Sequence, residues 1–394
     1  MSTAASLRAI GRGLDDPAAL DDLLDVRTGP PDVLALGEPV HGVAAFPALR
    51  NDVLRHLVER GFRSILLETD IFAASVVDAY AGGAPGDIDA VLATGFSHGF
   101  GTVPGNRELV EWLRAYNAGR PPGDRVRFHG FDAPLEIVAP SPRRALTEVA
   151  AHLPDALRPA SAADLDALLG DDADWANEAA VYDPSASIGD SARARTLRLI
   201  ADDLAGALHR ASPTLRPADP DGYDHAVACA RTAQGLLRYH AAMATPGPDR
   251  VGTLFSLREE MMAANLLAIV ERERRRGPSL VFAHNEHLRL PHPGEPGWGS
   301  AGAIAALTLG ERYLFVATDG APHSDPDTLQ GALAAATTRR TLFPAPAVRA
   351  ALPPSVTAGA PMVRGHIPLT HATLTGTDAV IFVTDTDGEQ HRYW

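Results

Sequence analysis

With 394 residues, 45% hydrophobic and 21% charged, the chain has a globular profile, long enough for two domains or one large α/β domain with an insertion. A formal net charge of −14, with no basic cluster beyond the ERERRR run at 271–276, argues against nucleic acid as a partner. The single cysteine, Cys229, excludes an internal disulfide and suits a reducing compartment; no stretch approaches the roughly 18 apolar residues of a membrane span, so a cytoplasmic protein is expected.

The first strand signal is the apolar run Val33–Leu36, after which Gly37, Pro39 and Gly42 break any regular element. Phe46, Leu49, Val53, Leu54, Leu57 and Val58 then recur at helical spacing. Glu38 and His41 therefore fall in the turn at the carboxyl end of a strand, where open α/β sheets bind their ligands. Arg50 projects into the middle of the apolar stripe of the helix, so a buried acidic partner, Glu38, Glu68 or Asp70, is expected to face it. Further strands are read at Ser64–Leu67, Val126–Gly130, Ser279–Ala283, Tyr313–Ala317 and Val380–Thr384. Between about 141 and 277 only amphipathic stretches occur, at Arg144–His152, Ser191–Ala211, Tyr223–Ala244 and Leu254–Arg275, with Pro-rich seams at 139–142, 213–220 and 246–248. The expected fold is α/β: a mixed, largely parallel central sheet with flanking helices and a helical lobe inserted between its two halves. Residues 1–140 and 278–394 form the halves of the core and 141–277 the lobe; the Gly-, Pro- and Ala-rich stretch 319–362 carries no clear pattern.

Four strand ends carry ionisable groups: Glu38 with His41, Glu68 with Asp70, Asp132, and His284 with Asn285 and His287. In a parallel sheet these ends converge on one crevice. His41 is the natural general base, because an imidazole titrates near neutrality, and Glu38 or Glu68 would fix its tautomer. No G-x-S-x-G elbow exists, and Cys229 sits in a helical pattern as a small core residue, so the attacking group is water or a nucleophile on the substrate. Arg50 and His287 are placed to neutralise a developing oxyanion. Asp132, Asp70 and Asn285 are read as substrate contacts. Each has a plainer alternative: a strand-end acid is often a helix cap, and His284 alone is a candidate packing histidine. His98, His129, His366 and His371 lack identifiable partners and read as surface or packing residues. Zinc ligation by the Glu and His set is the chemical rival, but H-N-E-H spaces its histidines at i and i+3, unlike the H-E-x-x-H helix, and no metal or cofactor is expected.

The blocks LGEPVHGVAAFPALR, LLETD, EWLRAYN with FHGFD, LREEMMAANL and FAHNEHL together resemble the erythromycin esterase family, in matching order from about 30 to 315. The resemblance implies an α/β fold with a helical lobe and a cleft in which activated water opens a macrolactone without a required metal. It places the base on His41, its supporting acid on Glu38, and further active-site positions on Arg50, Glu68, His284 and His287. The implied setting is antibiotic resistance or antibiotic biosynthesis, and the implied partner is a small natural-product-like molecule. The helical lobe is short, rich in Ala and Asp and poor in aromatics, which argues against erythromycin itself. Two alternatives use the same residues differently: a biosynthetic enzyme promoting intramolecular cyclisation or elimination, or a non-catalytic binding subunit. No protein partner is identifiable.

Overall fold

Eight strands form one sheet among the residues described by the computed structural model, which are 3–393 apart from 26, 28, 137, 292–296 and 322. They are β1 (Arg12–Gly13), β2 (Val33–Glu38), β3 (Ser64–Asp70), β4 (Arg127–Asp132), β5 (Ser279–His284), β6 (Tyr313–Gly320), β7 (Arg340–Pro344) and β8 (Ala379–Val383), in the spatial order β1-β7-β8-β6-β2-β5-β3-β4. The run β8-β6-β2-β5-β3 is parallel, while β7 lies antiparallel between β8 and β1. β2, β5, β6 and β8 are buried along their whole length, which explains why they read as unbroken apolar runs rather than alternating ones.

All six expected strands are present, and β1 and β7 were not expected. β7 falls within the unassigned stretch 319–362. Five residues that begin with Arg and end with Pro give too little periodicity to register, and the strand form depends on pairing with β8.

The chain divides into two compact units, Met1–Phe131 with Leu266–Trp394, and Asp132–Asn265. In the first, the helix Ala45–Glu59 buries Phe46, Leu49, Val53, Leu54, Leu57 and Val58 in a core shared with Leu34 and Leu36 of β2 and Phe282 of β5. Each such side chain contributes roughly 1.5–3 kcal/mol by leaving water. The second unit is helical, with the helices Arg143–His152, Ala192–Ala218 and Pro220–Met243 and several short turns of 3-10 helix. The Pro-rich tract at 213–220 is not a simple seam. The first long helix runs through Pro213 and Pro217 to Ala218, and Asp219 then caps the next one, which has Pro220 in its first turn. Among the described residues no helix is long and apolar enough to cross a membrane.

Candidate active site

β2 and β5 run in register, with Glu38 directly beside His284, and β3 runs in register on the other side of β5. The parallel geometry thus delivers Glu38, Glu68 and His284 to one edge, and the turn after β2 adds His41. The His41 Nδ1 lies 2.8 Å from Glu38 Oε1, and its Nε2 faces Glu68 Oε1 at 3.7 Å. The His287 Nε2 meets the same Glu68 oxygen at 3.1 Å, while the other oxygen, Oε2, accepts the backbone N–H of His284 at 2.9 Å. Glu38, His41, Arg50 and Glu68 line one small pocket of about 30 Å³, walled by Leu67, Phe96, Phe100, Val103 and Phe282.

The electrostatics follow from burial. Removal from water works against a charged His41, but the charge on Glu68 and the hydrogen bond and charge of Glu38 outweigh it and raise the imidazole pKa. Burial pushes Glu38 up as well, against the pull of His41. Its Oε1 serves His41, whereas its buried Oε2 has no hydrogen-bond partner in the protein.

His284 behaves differently from His41. Its Nδ1 accepts the backbone N–H of Glu286 at 3.2 Å, so Nε2 carries the proton and donates to the Pro39 carbonyl at 3.0 Å. Burial first, and then the neighbouring His41 charge, hold its pKa down to about 3. It is a neutral clamp on the turn that carries His41, with which it makes an edge-on ring contact at 5.3 Å.

Arg50 is buried, 1% exposed, but its hydrogen-bond partners differ from the acid expected. Nε and Nη2 donate to Asn51 Oδ1, Nη1 to Asn106 Oδ1 at 2.8 Å, and Nη2 to the Gly105 carbonyl at 3.1 Å. Amide oxygens satisfy the fork here, and Glu38 acts on it through its field rather than by contact. Desolvation lowers the guanidinium pKa to about 10, which leaves it charged at neutral pH. These four hydrogen bonds leave one of five N–H donors over.

The other three predicted residues hold the backbone. Asp70 Oδ1 accepts the N–H groups of Phe72 and Ala73. Asn285 bonds both the carbonyl and the N–H of Thr318. Asp132 pairs with Arg258 through both oxygens and caps its own Ala133 N–H. Asn51, Asn106 and Phe100 belong to the site and escaped the sequence reading. Asn106 opens the helix Asn106–Asn117 behind Gly105, where an Asn looks like ordinary turn chemistry, and nothing local marks Phe100.

Among the described residues, three donor side chains converge within 4.8 Å in one place, Glu148, His225 and Cys229 of the second unit. Burial and Glu148 push the Cys229 thiol up to about 12, so it stays protonated, as a hydrogen-bonded packing residue would.

Residues 57–358 match the model of the erythromycin esterase family. The chain belongs to that family. The matched region begins downstream of Glu38, His41 and Arg50, so the family match does not itself reach these three. Solved structures extend the likeness over nearly the whole length. A Bacillus cereus protein superposes with a TM-score of 0.72 at 16% identity, covering 97% of this chain and 96% of that one. A histidine-to-asparagine mutant of erythromycin esterase EreC in its open conformation superposes at 0.68, with 19% identity and coverage of 96% and 95%. A succinoglycan biosynthesis protein follows at 0.65, with 14% identity and coverage of 98% and 96%. No curated protein matches the sequence. At these identities the neighbours share the erythromycin esterase fold, and membership of the erythromycin esterase family supports an esterase-like hydrolase.

Proposed function

We propose that this erythromycin esterase family member hydrolyses a carboxylic ester or lactone, with His41 as general base on water. The observation that carries the reading is the His41 contact pattern. Nδ1 is held by Glu38 at 2.8 Å, which leaves Nε2 facing Glu68 in a pocket whose lining includes no Ser, Thr or Cys. An imidazole held at Nδ1, without a protein nucleophile beside it, is suited to water activation. Nε2 takes the water proton as the oxygen attacks the carbonyl carbon. The remaining Arg50 N–H is the candidate donor to the developing oxyanion, and its charge favours that anion in a dry pocket. The proton taken up at Nε2 then passes to the leaving alkoxide, which returns His41 to the neutral form, while His287, held on Glu68, is a second candidate donor to the oxyanion. His284 acts at one remove, by fixing the turn after Glu38 through Pro39.

Hydrolysis in heavy-oxygen water decides the reaction class. The label is expected in the acid product; its absence from a product formed at the wild-type rate would point to ring closure or elimination instead. His41→Ala is expected to lose about a hundredfold or more in kcat/KM, the usual weight of a positioned base. Full activity in that variant would overturn the assignment.

A further inference from the structure

Residues 389–393 return to the turn that carries His41. Gln390 Nε2 donates to the carbonyl oxygen of His41 at 2.9 Å, and the His391 N–H donates to the Gly42 carbonyl at 2.8 Å. The His391 side chain reaches Thr102 Oγ1 at 3.3 Å. Tyr393 then stands edge-on to Phe100, ring centroids 5.0 Å apart, and 6.2 Å from His41, while Phe100 lies 4.9 Å from His41. The rings of His41, Phe100 and Tyr393 thus each contact the other two.

Two glycines make room for this passage. Gly42 and Gly99 have φ of 83° and 69°, in the left-handed region, and the positions their Cβ atoms would take are filled by the carbonyl oxygens of His391 and Tyr393. The segment is therefore seated on two built features, not draped over a surface. The phenol is held neutral: burial first, then the charges of Glu38 and Glu68, push its pKa up to about 12. With these rings in place, the pocket of about 30 Å³ has room for one or two waters.

We propose that residues 389–393 form a wall of the active site and that Tyr393 is a specificity-determining residue, limiting the substrate to esters of small apolar acyl groups. The inference rests on the ester-hydrolase reading of the same pocket. The apolar lining of Leu67, Phe96, Val103 and Phe282 suits a short hydrocarbon group, and Tyr393 packs behind two other lining residues, Phe100 and His41, which limits how far they can yield to a bulky one.

The test compares p-nitrophenyl acetate with p-nitrophenyl benzoate on the wild type, Tyr393→Ala, Tyr393→Phe and a chain ending at Gly388. The benzoate-to-acetate ratio of kcat/KM is expected to rise about tenfold or more in Tyr393→Ala and in the shortened chain, and to stay near wild type in Tyr393→Phe, which keeps the ring. An independent readout is the rate at which diethyl pyrocarbonate modifies His41, followed by peptide mass spectrometry, expected to rise by a similar factor in the same two forms. An unchanged labelling rate in both forms overturns the wall. Faster labelling with an unchanged ester ratio overturns the size limit. If no form turns over either ester, these esters give the hydrolase reading no support and the size limit falls with it, while the labelling rates still decide the wall.

Discussion

His41 and His284 are neighbouring imidazoles with opposite fates, and the difference lies in what each ring nitrogen touches. His41 meets carboxylates on both sides, so its pKa stands above the ordinary 6.5. As a base it must be neutral, so kcat/KM is expected to be low in acid and to climb through a midpoint above pH 6.5. Glu38→Gln removes one of the groups that favour the imidazolium, and should move that midpoint down in a pH–rate profile while lowering the plateau. His284 is held neutral, with a pKa of about 3. Below about pH 6.5 the unfolded chain binds a proton there that the folded one refuses. Stability is therefore expected to fall as pH drops from about 6.5 towards 3, by up to about 1.4 kcal/mol per pH unit for this one group. Urea midpoints at pH 7 and pH 5 measure the slope, and His284→Gln, whose amide can still donate to Pro39, should flatten it. Arg50→Lys keeps a charge but loses the fork that spans Asn51, Asn106 and Gly105; a fall of at least about tenfold in kcat/KM is expected by steady-state assay.

Asp319, near the end of β6, holds together a region that no sequence pattern located. Its two oxygens receive four hydrogen bonds: His366 Nε2 at 3.0 Å, its neighbour Gly320 N–H, Gln330 Nε2 at 2.8 Å and the Leu369 N–H at 2.9 Å. The carboxylate and the His366 side chain are fully buried, so this one carboxylate is a central tie between the sheet and the loop around 359–369, beside the hydrogen bonds of Ile367 N–H to the Pro39 carbonyl and of Gln330 to Gly359 and Leu369. Asp319→Ala would leave several donors unpaired at once and should cost about 3 kcal/mol or more in urea unfolding. A cost under about 1 kcal/mol would show that the loop docks by its apolar residues instead. His366 was read as an unpartnered surface or packing histidine. Its Nδ1 accepts the nearby Met362 N–H, but its carboxylate partner lies 47 residues away, and short-range spacing carries no trace of such a pair.

Across the whole molecule, what the sequence disclosed was what local physics writes into it. Apolar runs gave β2 to β6 and β8 because strands buried on both faces have no polar alternation to hide them. Their shared end gave Glu38, His41, Glu68 and His284 because parallel strands present the same end to the same side. The stripe of the helix Ala45–Glu59 exposed Arg50 as an oddity, yet not its partners, since Asn106 comes from another helix 56 residues on. Tyr393 was invisible for the same reason: its relation to His41 is set by how the chain returns, not by neighbours in sequence. The proposed chemistry uses no ion, so dialysis against a chelator is expected to leave the rate unchanged. A loss restored by zinc would recast His41, Glu68 and His287 as ligands. At the edge of the sheet, the two residues of β1 pair with Thr341 and Leu342 of β7 and cover part of its outer rim. Arg12 there is also paired with Asp22. This short cover shields backbone groups that would otherwise be open to a strand from another molecule. A chain begun at Asp15 would keep every residue of the pocket and still be expected to self-associate, seen as light scattering that grows with concentration while the intact chain stays clear.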